Sequence, residues 1–210
     1  GNNLTQWETI NLNNAAKLTL TGDLFVSANV GTLNIDSTST LDLTQGTPTA
    51  FGIYGDVNNS GIIDMVNNTT GGVTTITGNY SGAASSMLKL DTVLGNDTSA
   101  TDKLIVNGGT TGTTLLGVNN VGGAGAQTTE GIQVVQVDGA SAGTFTLASP
   151  VQAGSYEYQL FQGGTSTPTD GDWYLRSTLL PCEVTNTCPV KPPVIPIYRP
   201  GVANYVIAQT

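Results

Sequence analysis

The sequence contains no histidine, and charged side chains make up only 10% of its 210 residues. Without histidine the chain can form neither a Ser-His-Asp triad nor a Cys-His dyad nor a histidine-ligated metal site. Lys and Arg together number six, and the formal net charge is -9. Phosphate backbones and anionic lipid surfaces are bound mainly through Lys and Arg. The composition therefore argues against nucleic acid and against an anionic bilayer surface as partners.

Long apolar runs and helical periodicity are missing as well. No stretch approaches the roughly 18 apolar residues that suggest a transmembrane helix, and no apolar period of 3.6 is sustained. The start lacks the pattern of a signal peptide and lies inside what reads as a repeat, so we expect a fragment of a longer chain. Thr, Val, Ile and Leu occur in short runs broken by Gly and Asn, which is typical of strands joined by tight turns. The sequence predicts an all-β protein.

Short apolar strands recur at a nearly constant spacing. Leu20, Leu43 and Met65 occupy equivalent places in three of them. A repeat of about 20 residues, with several strands per copy, is typical of a solenoid whose coils bury their inner faces against one another. At about 4.8 Å per coil, roughly nine coils would make a rod on the order of 40 Å long. An antiparallel β-sandwich remains an alternative, although its regular hairpin spacing fits the unequal loops less well.

Alternation within these strands predicts which side chains face the core. Successive side chains of a strand point to opposite faces, so apolar residues separated by one polar residue share a face. Thr and Asn then fall on the outer face or in turns, where Asn tolerates the left-handed conformation. The residues expected on the inner face are Leu18, Leu20, Leu33, Ile35, Leu41 and Leu43.

The later part of the chain reads as a cap. Aromatic residues are 6% of the chain and concentrate here. Residues 154–160 alternate with a period of two, a polar loop covers 163–172, and a second strand starts at 173, which together predict a β-hairpin. The open end of a solenoid needs such a cover, and each large ring buries roughly 150–250 Å². The residues predicted to close the core are Tyr156, Tyr158, Phe161, Trp173, Tyr174 and Leu175.

Beyond Leu180 the composition changes to a proline-rich segment, which we interpret as an extended linker. Cys182 and Cys188, the only cysteines, lie at its start. Zinc would need two further ligands, and a redox motif would have two intervening residues rather than five. We therefore expect a local disulfide between Cys182 and Cys188, worth roughly 2–2.5 kcal/mol in the chain-entropy model.

Other candidate sites are weak. Aspartates could supply the acid/base pairs of β-helical polysaccharide enzymes, but such residues are more often solvated turn residues. The calcium-binding Gly-Gly-x-Gly-x-Asp repeat is absent, and residues 122–126 lack the Lys and the following helix of a phosphate loop. We expect no catalytic residue, no metal and no cofactor. The aspartates considered are Asp36, Asp42, Asp64, Asp91, Asp97 and Asp102.

Several patches of the sequence are similar to parts of one protein family. Residues 7–12 with 17–22 resemble a tryptophan-containing coil in the passenger regions of AIDA-type autotransporters. Residues 75–80 and 101–108 are similar to the coils that precede its pertactin-like C-terminal segment.

The resemblance continues toward the end of the chain. Residues 154–158 with 173–175 resemble the autochaperone cap, and Tyr-Arg-Pro at 198–200 resembles the segment that leads into the membrane translocator. Gly201 departs from the pattern, since an acidic residue is expected there. Together the patches span nearly the whole chain.

The resemblance implies a right-handed parallel β-helix with a C-terminal β-hairpin cap. Residues 1–81 would be coils of the passenger stem, 82–180 the pertactin-like autochaperone region and cap, and 181–210 a linker toward an outer-membrane β-barrel translocator. The implied partners are that translocator, the outer-membrane assembly machinery and periplasmic chaperones. The implied location is the bacterial cell surface, reached through the periplasm, with or without release.

The function implied by this resemblance is not enzymatic. The region would nucleate folding of the passenger as it crosses the outer membrane and would display an upstream effector. Two alternatives stay open from the sequence. One is an adhesin whose coils bind a host surface or a sister molecule. The other is a β-helical carbohydrate-active enzyme, which requires two carboxylates in one groove.

Overall fold

A computed structural model describes residues 8–25, 31–45 and 50–180. The chain divides into two compact units, Gly1–Leu180 and Pro181–Thr210, and the described residues belong to the first. The predicted disulfide of Cys182 and Cys188, the proline-rich linker and the tryptophan at position 7 lie outside the described residues. Within these ranges there are strands and turns but no α-helix, and thus no helix suited to crossing a membrane.

The strands have the following bounds. They are β1 (Thr9–Leu12), β2 (Lys17–Thr19), β3 (Leu24–Phe25), β4 (Thr32–Ile35), β5 (Thr40–Asp42), β6 (Ala50–Tyr54), β7 (Asp56–Asn59), β8 (Ile62–Asp64), β9 (Val73–Ile76), β10 (Tyr80–Gly82), β11 (Met87–Thr92), β12 (Lys103–Val106), β13 (Thr110–Asn120), β14 (Ile132–Val137), β15 (Thr144–Leu147), β16 (Val151–Ala153), β17 (Tyr156–Gln162) and β18 (Trp173–Leu179).

Three sheets of parallel strands surround one core. Sheet A contains β1, β4, β7, β10 and the first part of β13; sheet B contains β2, β5, β8, β11, the second part of β13 and β15. Sheet C contains β3, β6, β9, β12 and β14. Each coil contributes one strand to each sheet, which is the parallel β-helix that the repeat predicted. The described strands do not form two face-to-face antiparallel sheets, so the sandwich alternative is wrong.

The strand pairing in sheet B follows the repeat predicted from the sequence. Leu41 pairs with Leu18 of the preceding coil and with Ile63 of the next one, and the three positions are almost equally spaced along the chain. Leu41 is fully buried and Leu18 is half-buried against the core. The other four residues predicted on the inner face, namely Leu20, Leu33, Ile35 and Leu43, are buried.

The expected number of coils was too high. The described ranges hold five coils, which are β1–β3, β4–β6, β7–β9, β10–β12 and β13–β14, with β15 added on sheet B. Later coils are longer than the early repeat: Val57 pairs with Tyr80, but Tyr80 pairs in turn with Thr110, and Leu104 pairs with Val135. The additional residues form connections at the corners and not further strands.

Glycines form one corner of the helix, between sheets C and A. The N–H of Gly78 donates to the carbonyl of Gly55 at 3.1 Å, Gly108 donates to Gly78 at 3.0 Å, and Gly139 donates to Gly108 at 3.1 Å. A Cβ at Gly108 would lie 2.5 Å from the carbonyl oxygen of Gly78, and one at Gly78 would lie 2.6 Å from that of Gly55. Only glycine permits this close approach of successive coils.

The C-terminal end of sheet C changes direction. Strand β18 pairs antiparallel with β14, β17 with β18, and β16 with β17. Tyr158 lies opposite Ser177, and Phe161 lies opposite Tyr174, so the predicted hairpin is confirmed. The third strand, β16, was not predicted. We refer to β16–β18 as the cap.

Candidate functional site

A column of three aromatic rings joins coil 4 to the cap. The ring centroids of Tyr80 and Phe145 are 6.0 Å apart, and those of Phe145 and Trp173 are 5.4 Å apart in an edge-to-face arrangement. All three side chains are buried. Aromatic pairs of this kind contribute about 0.5–1.5 kcal/mol beyond the area that they bury. The Trp173 Nε1 is buried and has no hydrogen-bond partner among the described residues, so the indole contributes through packing.

The hairpin separates the predicted cap residues into two groups. Tyr158, Trp173 and Leu175 lie in the core, and Tyr156 packs half-buried against it. Tyr174 is half-buried and Phe161 is 40% exposed. These two side chains do not fill the core.

Arg176 covers both outward rings. Its guanidinium carbon lies 5.0 Å from the ring centroid of Phe161 and 5.9 Å from that of Tyr174. Strand alternation accounts for this arrangement, because successive side chains of β18 point to opposite faces. Trp173 and Leu175 face inward, and Tyr174 and Arg176 face outward. The same alternation was available in the sequence and would have separated the two groups.

The buried hydroxyl of Tyr158 connects the cap to two coils. It donates to the carbonyl oxygen of Gly95 in coil 4 at 2.8 Å and accepts from the N–H of Ala126 in coil 5 at 3.0 Å. Burial raises the pKa of Tyr158, so the hydroxyl stays protonated and remains a donor.

A reciprocal pair of hydrogen bonds fastens β18 to the connection between β13 and β14. The N–H of Thr128 donates to Ser177 Oγ at 2.8 Å, and the N–H of Ser177 donates to Thr128 Oγ1 at 2.8 Å. Next to them, Arg176 Nε donates to the carbonyl oxygen of Glu130 at 2.8 Å. Both Thr128 and Ser177 are buried. Nothing in the sequence pattern marked these residues, because they are far apart in the chain and neither belongs to the repeat.

Asp172 fastens the cap to β14. It accepts from the N–H of Val137 at 2.8 Å and from Gln133 Nε2 at 2.6 Å, and Gln133 Oε1 in turn accepts from Lys103 Nζ at 2.5 Å. Burial raises the pKa of Asp172. Burial, together with the neighbouring Asp170 carboxylate, also raises the pKa of Tyr174 to about 12. The junction therefore contains buried polar groups that are held by specific donors.

Two of the aspartates considered as acid/base candidates meet at the corner between sheets B and C. Asp102 accepts from the N–H of Gly72 at 2.7 Å and of Asp91 at 2.9 Å. Asp91 accepts from the N–H of Asn67 at 2.8 Å and from Asn119 Nδ2 at 2.5 Å. Burial raises the pKa of Asp102 to about 6. Asp102 is 1% exposed, so the pair links coils 3, 4 and 5 and offers no access to a substrate.

The other aspartates stand apart from this pair. Asp42 forms an ion pair with Lys17 at 2.8 Å; burial works against ionisation, but hydrogen bonds from Lys17 and Thr44 hold the pKa of Asp42 at about 2. Hydrogen bonds from Ser39 and Thr38 lower the pKa of Asp36 to about 2.

Asp64 lies 3.8 Å from Lys89, and Asp97 belongs to the loop between β11 and β12. In the described ranges no three Cys, Asp or Glu side chains converge as metal ligands would.

Comparison with known proteins identifies the region. The family model Autochaperone Domain Type 1 matches residues 53–160. The chain is 48% identical over 155 residues to the adhesin BmaC autotransporter of Brucella suis biovar 1 (strain 1330), which covers 70% of this chain and 4% of that protein. It is 37% identical over 202 residues to the uncharacterized protein YuaQ of Escherichia coli (strain K12), covering 84% of this chain and 14% of that protein.

A third relative bears the name of the resembled family. The autotransporter adhesin AIDA-I of Escherichia coli is 40% identical over 108 residues, covering 51% of this chain and 8% of that protein. The chain thus spans a small part of each of these relatives. The family match runs from β6 in coil 2 to β17 in the cap and covers just over half of the 210 residues. The chain therefore belongs to the AIDA-type autotransporter passengers that carry a type 1 autochaperone domain.

Proposed function

We propose that residues 82–180 fold first when the passenger crosses the bacterial outer membrane, and that residues 1–81 are stem coils which then add to this template. In this proposal the chain continues into its own membrane translocator, and the assembled stem displays an upstream effector at the cell surface. Periplasmic chaperones and the outer-membrane assembly machinery would act before folding. The proposal assigns no catalytic residue.

One observation carries the proposal: the aromatic column and the cap hydrogen bonds join elements distant in sequence, whereas early coils bond mainly to the next coil. The first coil of a solenoid loses chain entropy without a neighbour to stack on, at roughly 1–2 kcal/mol per ordered residue. Residues 82–180 offset part of that cost by burying Trp173 against Phe145, and Tyr80 completes the aromatic column when the last stem residues add to them. The coils that add afterwards need only a finished edge, which β10–β12, then β7–β9, then β4–β6 provide in turn.

Surface display of a full-length autotransporter carrying this region tests the proposal. We compare Trp173→Ala with Phe51→Ala, because each removes a large ring that is 6% exposed, one in the cap and one in coil 2. Trp173→Ala should lower the amount of passenger at the surface several-fold. Phe51→Ala should lower it much less, since coil 2 would add after the template has formed.

The readout is antibody labelling of intact cells, normalised to the total amount of the protein. A separate label on the translocator verifies that membrane insertion is unchanged. Equal surface levels for Trp173→Ala and the unchanged protein would refute the proposed order of folding.

Adhesion by the coils themselves is a second candidate. Two of the relatives named above are adhesins, and coils 1 and 2 expose an aromatic pair. The rings of Phe25 and Tyr54 stack with centroids 4.4 Å apart, and both side chains are exposed. If these coils bind a host surface or a sister molecule, the Phe25→Ala/Tyr54→Ala double variant of the purified chain should lose that binding. Absence of any binding by the unchanged chain would reject this candidate.

A further inference from the structure

One ordered loop projects from coil 4. Residues 93–101 make up all but the last residue of the connection between β11 and β12, and the two sides of this loop pair with each other. The N–H of Val93 donates to the carbonyl of Ala100 at 2.9 Å, and the hydroxyl oxygens of Thr92 and Thr101 are 2.8 Å apart. The loop is therefore held in one shape by its own hydrogen bonds.

The base of this loop is bonded to coil 5. Leu94 is buried in the core. Its N–H donates to Asn120 Oδ1 at 3.2 Å, and its carbonyl accepts from the N–H of Gly125 at 2.9 Å. Both partners lie at or just beyond the end of β13, so the loop runs along the connection of the next coil.

The tip of the loop is bonded to the residues just before β14. The Asp97 carboxylate accepts from the N–H of Thr129 at 2.9 Å and from the N–H of Gly131 at 2.8 Å. Burial alone would raise the pKa of Asp97, but these backbone hydrogen bonds outweigh it and lower the pKa. Asp97 is thus an anionic acceptor at neutral pH.

The cap reaches the same loop through Tyr158, whose hydroxyl contacts Gly95 in coil 4 and Ala126 in coil 5. Gly95 and Tyr158 are 63 residues apart. In the early coils, the corresponding bonds of Asn14, Ala15 and Ala16 reach residues only 22 or 23 positions away, in the next coil. One hydroxyl therefore bonds three successive layers of the structure.

We infer that residues 93–101 form a strap that makes coil 4, coil 5 and the cap open as one cooperative unit. A solenoid whose coils contact only their neighbours can lose coils one at a time from an end. The strap prevents this at the C-terminal end, because the cap separates from coil 5 only if it also separates from coil 4. The inference rests on the proposed function for its biological meaning, since it names the residues that would hold the first-folding unit together.

Native-state hydrogen exchange of the purified 210-residue chain, followed by mass spectrometry at increasing urea, tests the strap. In the unchanged protein the amides of β12, β14 and β18 should exchange through one common opening. In Asp97→Ala and in Tyr158→Phe, amides of β14 and β18 should exchange about tenfold faster than those of β12, because each variant loses hydrogen bonds that join coil 4 to the later layers.

Two matched variants control for general destabilisation. Tyr80→Phe removes another buried hydroxyl, but its partners Asn59 and Thr114 belong to the coils on either side, so exchange of all three strands should accelerate together. Asp97→Asn keeps an acceptor oxygen and should fall between Asp97→Ala and the unchanged protein. Asp97 is only half-buried, so Asp97→Ala keeps the core intact even if Tyr158→Phe does not fold.

Separate openings of β12 and β18 in the unchanged protein would overturn the strap. So would exchange rates that stay equal for β12 and β18 in Asp97→Ala. This measurement involves no export, so its result is independent of surface display. Unchanged display of Trp173→Ala would refute the proposed function and leave the strap in place. Reduced display of Trp173→Ala together with separate openings of β12 and β18 would refute the strap and leave the proposed function in place.

Discussion

The early coils and the C-terminal coils share one architecture but are stabilised differently. In sheets A and B, strands of coils 1 to 4 pair at short and nearly constant sequence separations, whereas pairing with β13 and β15 spans a longer stretch of chain. The early interior is mainly aliphatic, and the later interior contains the aromatic column. Regular short coils are easy to extend, while irregular long ones carry loops that bond across layers.

The outer surfaces differ in the same sense. Asn11, Asn34 and Asn58 form a ladder on sheet A, in which Asn34 Nδ2 donates to Asn11 Oδ1 at 2.8 Å and Asn58 Nδ2 donates to Asn34 Oδ1 at 2.9 Å. Each bond reaches only the next coil. In the C-terminal part, Thr128 and Ser177 bond to each other across 49 positions of the sequence. Nearest-neighbour bonds allow gradual fraying, and long-range bonds favour an all-or-none transition.

The largest expected effect comes from removing the cap ring. Trp173→Ala should lower the free energy of unfolding by about 3–5 kcal/mol and should shift the whole transition to lower denaturant. Phe51→Ala removes a ring of equal burial but should instead produce an early, partial transition of the first coils. Urea unfolding followed by circular dichroism measures both variants. Because the chain has two tryptophans, Phe51→Ala is also made together with Trp7→Phe, so that the fluorescence of Trp173 alone reports on the cap. A single transition of Phe51→Ala, coincident by both probes, would mean that the two regions are one cooperative unit.

An intermediate effect concerns pH and the buried Asp102. Its folded pKa of about 6 lies above the ordinary value of 3.8, so its stabilising contribution is complete below about pH 4 and is lost as the pH rises through 6. Stability should therefore increase by about 1 kcal/mol between pH 7.5 and pH 5. Asp172, whose pKa is also raised, acts in the same direction. Urea unfolding at the two pH values measures the difference.

The control for this effect is Asp102→Asn, which cannot titrate and should reduce the gain at pH 5. Asp42 in the early coils behaves oppositely, because its pKa of about 2 means that its contribution is lost only as the pH falls below about 4. The contributions of Asp42 and Asp102 should thus respond to acid at different pH values. A gain at pH 5 that persists in full in Asp102→Asn would assign the effect to another group.

The smallest expected effect concerns the exposed ladder. Asn34→Ala removes hydrogen bonds to both neighbouring coils, and because they are exposed the cost should be about 0.5 kcal/mol. Ser81 continues the same outer row beside Asn58, and among the described residues its hydroxyl has no hydrogen bond. Ser81→Ala should therefore change the denaturation midpoint by less than Asn34→Ala. If Asn34→Ala lowered the free energy of unfolding by more than Trp173→Ala does, the comparison between the early coils and the cap would be reversed.

Periodicity and alternation in the sequence were enough to predict the coils and the hairpin. Leu20, Leu43 and Met65 marked the coil spacing, and the alternating strands around residues 163–172 marked the hairpin. Prediction failed where contacts depend on loops of unequal length. The number of coils was overestimated because the length of the early repeat was applied to the whole chain.

The candidate site was predictable only in part for the same reason. Trp173 was marked by its residue type, but its partners Phe145 and Tyr80 come from other coils and were brought together by pairing that periodicity does not specify. Asp91 and Asp102 drew attention as carboxylates. Their role as acceptors for backbone N–H groups of other coils appears only when the corner has been built in three dimensions.

The glycine corner explains how coils of different length share one axis. The circuit from Gly55 to Gly78 is shorter than the circuits from Gly78 to Gly108 and from Gly108 to Gly139, yet each of the three steps has the same backbone hydrogen bond at the corner. A full circuit can therefore lengthen without any change in the rise from one layer to the next. The glycine corner therefore acts as a fixed reference point. Residues can be inserted elsewhere in a coil while the spacing between coils stays the same.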